Sequence, residues 1–166
     1  MKKICFIALI AFFTSTLKAQ SDFTVPYNYK LKEKGDYDKY KNDVVKATEW
    51  LIKTPSNEEP NKRVNVNKFI MKWVDGSPTV TIEINKLVLF YTSPDYFPIL
   101  VGAWSSEYIK NENYDDKIAG ALAGIEAVIE YYENNADRLK KSKLIKKYIN
   151  LKKKGKLKSY LEKKMK

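Results

Sequence analysis

Residues 77–91 read SPTVTIEINKLVLFY, and whether this stretch is helix or strand decides the fold class. Val80, Ile82 and Ile84 alternate with Thr79, Thr81 and Glu83, a period of two rich in β-branched side chains that favours a strand. Val80, Ile84, Leu87, Val88 and Tyr91 equally suit one face of a helix. Ser77 then Pro78 supplies a helix N-cap followed by the residue favoured at the first helical position. A strand needs a partner, and no second convincing strand stands elsewhere in the chain. The stretch is therefore read as helix and the protein as all-α, a compact helical bundle with a basic amphipathic C-terminal helix or tail.

Both flanks of this stretch carry helical periodicity. Upstream, Gly35 and Asp36 form a start signal, and Tyr37, Tyr40, Val44, Ala47 and Leu51 follow at spacings of three and four until Thr54-Pro55. Pro55 to Arg63, PSNEEPNKR, is polar and aperiodic and is read as a surface loop. Val66, Phe69, Ile70, Trp73 and Val74 give a second, shorter stripe closed by Asp75-Gly76. Downstream, Tyr96 to Asn111 and Asp115 to Asn134 complete the body. The second of these has Ile118, Leu122, Ile125, Ile129 and Tyr132 on one stripe, with the small residues of GALAG, Gly120 to Gly124, beside it. Glycine weakens a helix, so these positions predict close packing against another helix, with Gly102-Ala103 as the expected opposite surface.

The segment FIMKWVDGSPTVTIEI, Phe69 to Ile84, followed by ILVGAW, Ile99 to Trp104, resembles small exported proteins of unassigned function, in which a Trp-ended helix turns through Gly-Ser/Thr-Pro into another helix and an aromatic and glycine-bearing helix comes next. The resemblance spans Tyr37 to Asn134. It implies an all-helical fold and carries over no catalytic residue.

The chain begins MKKICFIALIAFFTSTLKAQ: Lys2 and Lys3, an apolar run from Ile4 to Phe13, then a more polar segment ending in Ala19. This is the layout of a secretory signal, and the apolar run is too short to span a bilayer. Cleavage after Ala19 leaves 147 of the 166 residues and predicts an exported protein, periplasmic or extracellular. It also removes the one cysteine of a chain that has no histidine. Disulfides, imidazole or thiolate zinc sites, Ser-His-Asp triads and Cys-His dyads are thereby excluded from the mature chain. No cofactor is implied.

What remains for catalysis is carboxylate chemistry, as in glycosidases. Glu83, Glu107, Asp115 and Asp116 are the candidates for a carboxylate-dependent hydrolase acting on a polysaccharide, the alternative to a protein without catalysis. Each also has a plainer role, on a solvent face or at a helix N-terminus where acids complement the macrodipole. Among the aromatics, Trp73 and Trp104 fall on inward stripes. Trp50 lies off the main stripe of its helix and is read as edging the core, with exposure as a partner contact the other option.

The C-terminal stretch, Arg138 to Lys166, holds fourteen Lys or Arg and one acid, Glu162, a net +13. Between Gln20 and Asp137 fourteen basic residues face nineteen acids, a net −5. The organisation expected is 1–19 signal peptide, 20–35 extended segment, 36–137 helical domain and 138–166 basic tail. Leu139, Leu144, Ile145, Tyr148, Ile149 and Leu151 give the tail an apolar side, Gly155 ends its first helix, expected over Arg138 to Lys154, and Leu157, Tyr160, Leu161 and Met165 resume the pattern. Two readings stand: the last wall of the bundle, or a surface for anionic partners. The candidate anion-binding residues are Lys140, Lys141, Lys143, Lys146, Lys147, Lys152, Lys153, Lys154, Lys156 and Lys158. The partners expected are an anionic envelope surface or an acidic protein. Nucleic acid is disfavoured, because lysine lacks the bidentate readout of arginine and export removes the chain from the nucleic-acid pool.

Overall fold

The computed structural model describes residues 22–83 and 93–165. Those residues form six helices and no strand: α1 (Lys34–Lys53), α2 (Pro60–Gly76), α3 (Phe97–Asn111), α4 (Lys117–Asn134), α5 (Lys143–Lys153) and α6 (Leu157–Lys164). The fold is an all-α bundle.

Helix α3 sits at its centre. Eleven of its fifteen residues are buried, and it packs against α1, α2 and α4. A helix apolar on all sides belongs inside a bundle, and α3 fits that rule. Its two buried serines are satisfied within the helix: the Ser105 and Ser106 hydroxyls donate to the Val101 and Gly102 carbonyls at 2.8 and 2.7 Å. Thr48 of α1 does the same to Val44 at 2.8 Å. These hydroxyls therefore enter the core without the penalty of an unmade hydrogen bond.

Helix α1 starts where Asp36 can reach back. Its carboxylate accepts from the Lys32 and Glu33 amides at 2.9 and 3.2 Å, and those bonds hold its pKa below the usual carboxylate value. Helix α2 begins at Pro60, inside the segment expected to be a loop. Proline lacks the amide that a first helical residue cannot use, so PSNEEPNKR is loop only as far as Glu59, which takes a left-handed conformation (φ 46°).

Tight contact between α3 and α4 explains GALAG, though the opposite surface differs from the one expected. A Cβ on Gly120 would overlap the Trp104 indole, and one on Gly124 would stand 2.8 Å from the Leu100 carbonyl oxygen. Gly102 turns away from α4 and lies against Thr48 of α1 and Ile70 of α2. The small residues of α4 thus make room for the large residues of α3.

The deciding stretch is neither helix nor strand as far as Glu83, so the helix expected from Ser77 is corrected there; residues 84–91 of it lie outside the described residues. Ser77 caps the C-terminus of α2. Its Oγ accepts from the Val80 and Thr79 amides at 3.2 and 3.4 Å, the bonds an N-cap would make, yet no helix follows. Four successive residues, Thr79, Val80, Thr81 and Ile82, are β-branched and lose side-chain freedom in a helix. The alternation places Val80 in the core and Ile82 partly within it, with Thr79 and Thr81 outside.

A lysine-covered hairpin as candidate functional site

The α5–α6 hairpin begins with a cap. Ser142 Oγ accepts from the Ile145 amide at 3.2 Å, while the Ser142 amide donates to the Tyr132 hydroxyl of α4 at 3.3 Å. That pair of bonds starts α5 five residues after Arg138, so the helix expected from Arg138 is corrected: residues 138–142 connect, and α5 has 11 residues. At the standard rise it is about 16 Å long.

The hairpin then closes on α4. Ile145, Tyr148, Leu157 and Leu161 are each 3% exposed or less, and both α5 and α6 pack against α4 and each other. Gly155, at φ +63°, makes the reversal between them. Burial drives the Tyr148 hydroxyl up to about 12, with the neighbouring Tyr160 adding to the shift.

All ten candidate lysines are exposed. Along α5 and its C-cap Lys154, the residues Lys143, Lys146, Lys147, Lys153 and Lys154 recur at helical spacing on the side opposite Ile145 and Tyr148. Lys147 Nζ donates to the Tyr160 hydroxyl at 2.9 Å and lies 4.6 Å from its ring centroid. Lys152 pairs with Glu126 of α4 at 3.5 Å. The other eight have no ion pair among the described residues. The hairpin therefore walls the core with one side and presents net positive charge on the other, so the two readings of the tail are compatible. One version of the second is corrected: a membrane-lying helix must put its apolar side into lipid, and this apolar side is already held by α4. No helix among the described residues is long and apolar enough to cross a membrane.

Trp50 is wholly buried, which corrects its expected place at the core edge and removes it as a partner contact. Two cationic side chains from the start of α2 cover it, Lys62 at 4.9 Å and Arg63 at 5.5 Å from its ring centroid. Its position off the stripe reflects a wide apolar arc, since α1 packs on α2, α3 and α4 at once.

The candidate acids lie at the surface. Glu83 pairs with Lys117, Glu107 accepts from the Asn111 side-chain Nδ2 at 2.7 Å, Asp116 caps α4 by accepting from the Ala119 backbone amide at 2.9 Å, and Asp115 is exposed beside it. Glu107 and Asp116 border one small pocket of about 170 Å³ with Asn111 and Asn113; Glu83 and Asp115 do not border it. Among the described residues no three acids gather as a metal-binding group. Sequence reasoning missed Ser142 and Tyr132, which set the start of the hairpin. It counted Arg138 only as the start of the basic tail, whereas Arg138 borders a cleft with Lys140 and Lys141. A Ser six residues before a Tyr-bearing stripe was the available signal for the cap.

Against known families, curated proteins and solved structures, the chain matches none.

Proposed function

We propose that this chain is an exported binding protein of the cell envelope, without catalysis, whose lysine-covered hairpin adsorbs to an anionic surface by charge alone. The observation carrying this reading is the pairing of the two sides of α5–α6: Ile145, Tyr148, Leu157 and Leu161 are occupied within the fold, and the lysines opposite them are free to face outward. A rigid plate of like charge raises the local potential and attracts polyanions. Near an anionic membrane surface each lysine contributes about 1 kcal/mol, so a handful acting together reaches submillimolar binding. The layout from Met1 to Ala19 supports export, with the periplasm as the compartment proposed.

Co-sedimentation with phosphatidylglycerol vesicles tests the reading. Adsorption should fall steeply as salt shortens the screening length below about 8 Å, and neutral phosphatidylcholine vesicles should not bind. Glu in place of Lys143, Lys146, Lys153 and Lys154 should abolish adsorption while helicity is kept. Equal binding to neutral vesicles, or binding indifferent to the four substitutions, would overturn the proposal. Mass spectrometry of the exported protein should find the mature N-terminus at Gln20 or within a few residues of it; an intact Met1 would remove the periplasm from the reading.

A further inference from the structure

A cleft of about 560 Å³ opens between the turn ahead of α3 and the connection from α4 to α5. Its size suits a small ligand. One wall supplies cations: Arg138, Lys140 and Lys141. Arginine is rare here, with only Arg63 and Arg138 among 31 basic residues, and the two are used differently. Arg63 is committed to backbone carbonyls in the fold. Arg138 Nη1 meets Asp137 at 3.0 Å in an exposed pair, which leaves its Nη2 and Nε donors for the cleft. A planar guanidinium offers two parallel hydrogen bonds to a phosphate, and two ammonium groups beside it supply the remaining charge for a dianion.

The other wall carries different chemistry. Asp95 is a carboxylate and accepts hydrogen bonds only, which suits ligand hydroxyls and repels a bare anion. Tyr96 presents a ring in edge contact with Tyr131, and burial beside Asp95 raises its pKa, so its phenol stays neutral. Ser93 Oγ accepts from the Tyr96 amide, and on the cationic wall Ser142 Oγ accepts from the Ile145 amide, so each keeps its O–H to donate. Cations on one wall and an acceptor, a hydroxyl and an aromatic ring on the other match a ligand with phosphate on one side and a polyol on the other.

We propose that this cleft binds a phosphorylated hexose or polyol, with the phosphate on Arg138, Lys140 and Lys141 and the hydroxyls on Asp95. The inference rests on the reading of the tail as anion-binding and gives that tail a selective element. The polyol phosphate can be a free sugar phosphate or the headgroup of a glycolipid or inositol lipid.

Titration calorimetry of the mature chain with glucose 1-phosphate, inorganic phosphate and glucose tests it. Saturable binding of glucose 1-phosphate is expected, with inorganic phosphate at least tenfold weaker and glucose silent. Arg138→Lys keeps the charge and removes the fork, and should weaken glucose 1-phosphate at least tenfold at unchanged melting temperature. Asp95→Asn should narrow the gap between glucose 1-phosphate and inorganic phosphate. No saturable binding, equal binding of the two phosphates, or indifference to Arg138→Lys would each overturn the proposal. Vesicles containing phosphatidylinositol, compared with phosphatidylglycerol at equal charge, identify the source. A preference for inositol lipid lost in Arg138→Lys places the ligand on a membrane, and retained glucose 1-phosphate binding without that preference places it in solution. Phosphatidylglycerol adsorption without glucose 1-phosphate binding would sink the cleft and leave the lysine plate standing.

Discussion

The guanidinium of Arg63 lies over the Trp50 indole, 5.5 Å from its centroid, while its Nη2 donates to the Thr54 and Pro55 carbonyls at 2.9 Å each. One side chain from α2 thus satisfies the carbonyls that α1 leaves open at its C-terminus and roofs the tryptophan beside them. It also lies 5.7 Å from the Tyr131 ring of α4, so three helices meet at it. Arg63→Ala should lower unfolding free energy by about 2–3 kcal/mol in urea titration, the scale of charged hydrogen bonds to buried partners. Arg63→Lys should recover less than half of that, because an ammonium cannot cover the ring and reach both carbonyls.

Gly120→Ala should destabilise more than its helix propensity suggests. Alanine favours helix by about 1 kcal/mol over glycine, yet the added methyl overlaps the Trp104 indole. Overpacking of this kind costs about 1–3 kcal/mol, so a net loss in melting temperature is expected. Near-ultraviolet circular dichroism should change as Trp104 shifts. An unchanged tryptophan signal with raised stability would mean that α3 and α4 are not in such close contact.

Leu161→Ala should cost about 2–5 kcal/mol, as for other fully buried leucines, because Leu161 is wholly buried. Removal of residues 138–166 should lower the melting temperature by more, and the remaining body should bind a hydrophobic dye at the uncovered α4. Neutralising Lys153 and Lys154 together should change stability by no more than about 0.5 kcal/mol per site.

Alkaline pH should unfold the protein earlier than lysine neutralisation alone would. Tyr29, Tyr96, Tyr108, Tyr131 and Tyr148 all have raised pKa values, with burial the first cause in each. A raised pKa means that the folded chain keeps a proton the unfolded chain has lost. For Tyr148 the stability is whole below pH 10 and drains away as pH rises towards about 12, on the order of 2–3 kcal/mol across that window. Tyrosinate absorbance should show a late-ionising group that disappears in Tyr148→Phe.

Much of the bundle was legible because its long helices carry their own boundaries. The stripe from Tyr37 to Leu51 and the Asp115-Asp116 signal ahead of α4 each combine periodicity with a cap, and both helices lie where that combination puts them. Ser77 to Glu83 was harder, since its N-cap bonds are real and the helix they announce does not follow; β-branched crowding and burial of Val80 prevail over the cap. Trp50 could not be placed from α1 alone, because the side chains that cover it come from α2. The lysine side of the tail was visible as amphipathicity. The cleft was not, because Ser93 to Tyr96 and Arg138 to Ser142 are some forty residues apart and meet only through the packing of α3 on α4.

Gly155 has open space around it: a Cβ there would meet nothing within 4 Å. Its φ of +63° therefore disfavours other L-residues by handedness and not by room. L-alanine at this carbon should cost about 1–2 kcal/mol, whereas D-alanine, whose mirror-image preference is for positive φ, should fit without strain and restrict the unfolded chain. A semisynthetic protein with D-alanine at 155 should melt above the natural one, and its L-alanine counterpart below. The chirality of one carbon then tunes how firmly α6 is held against α4, and with it how firmly the last basic residues are fixed to the rest of the fold.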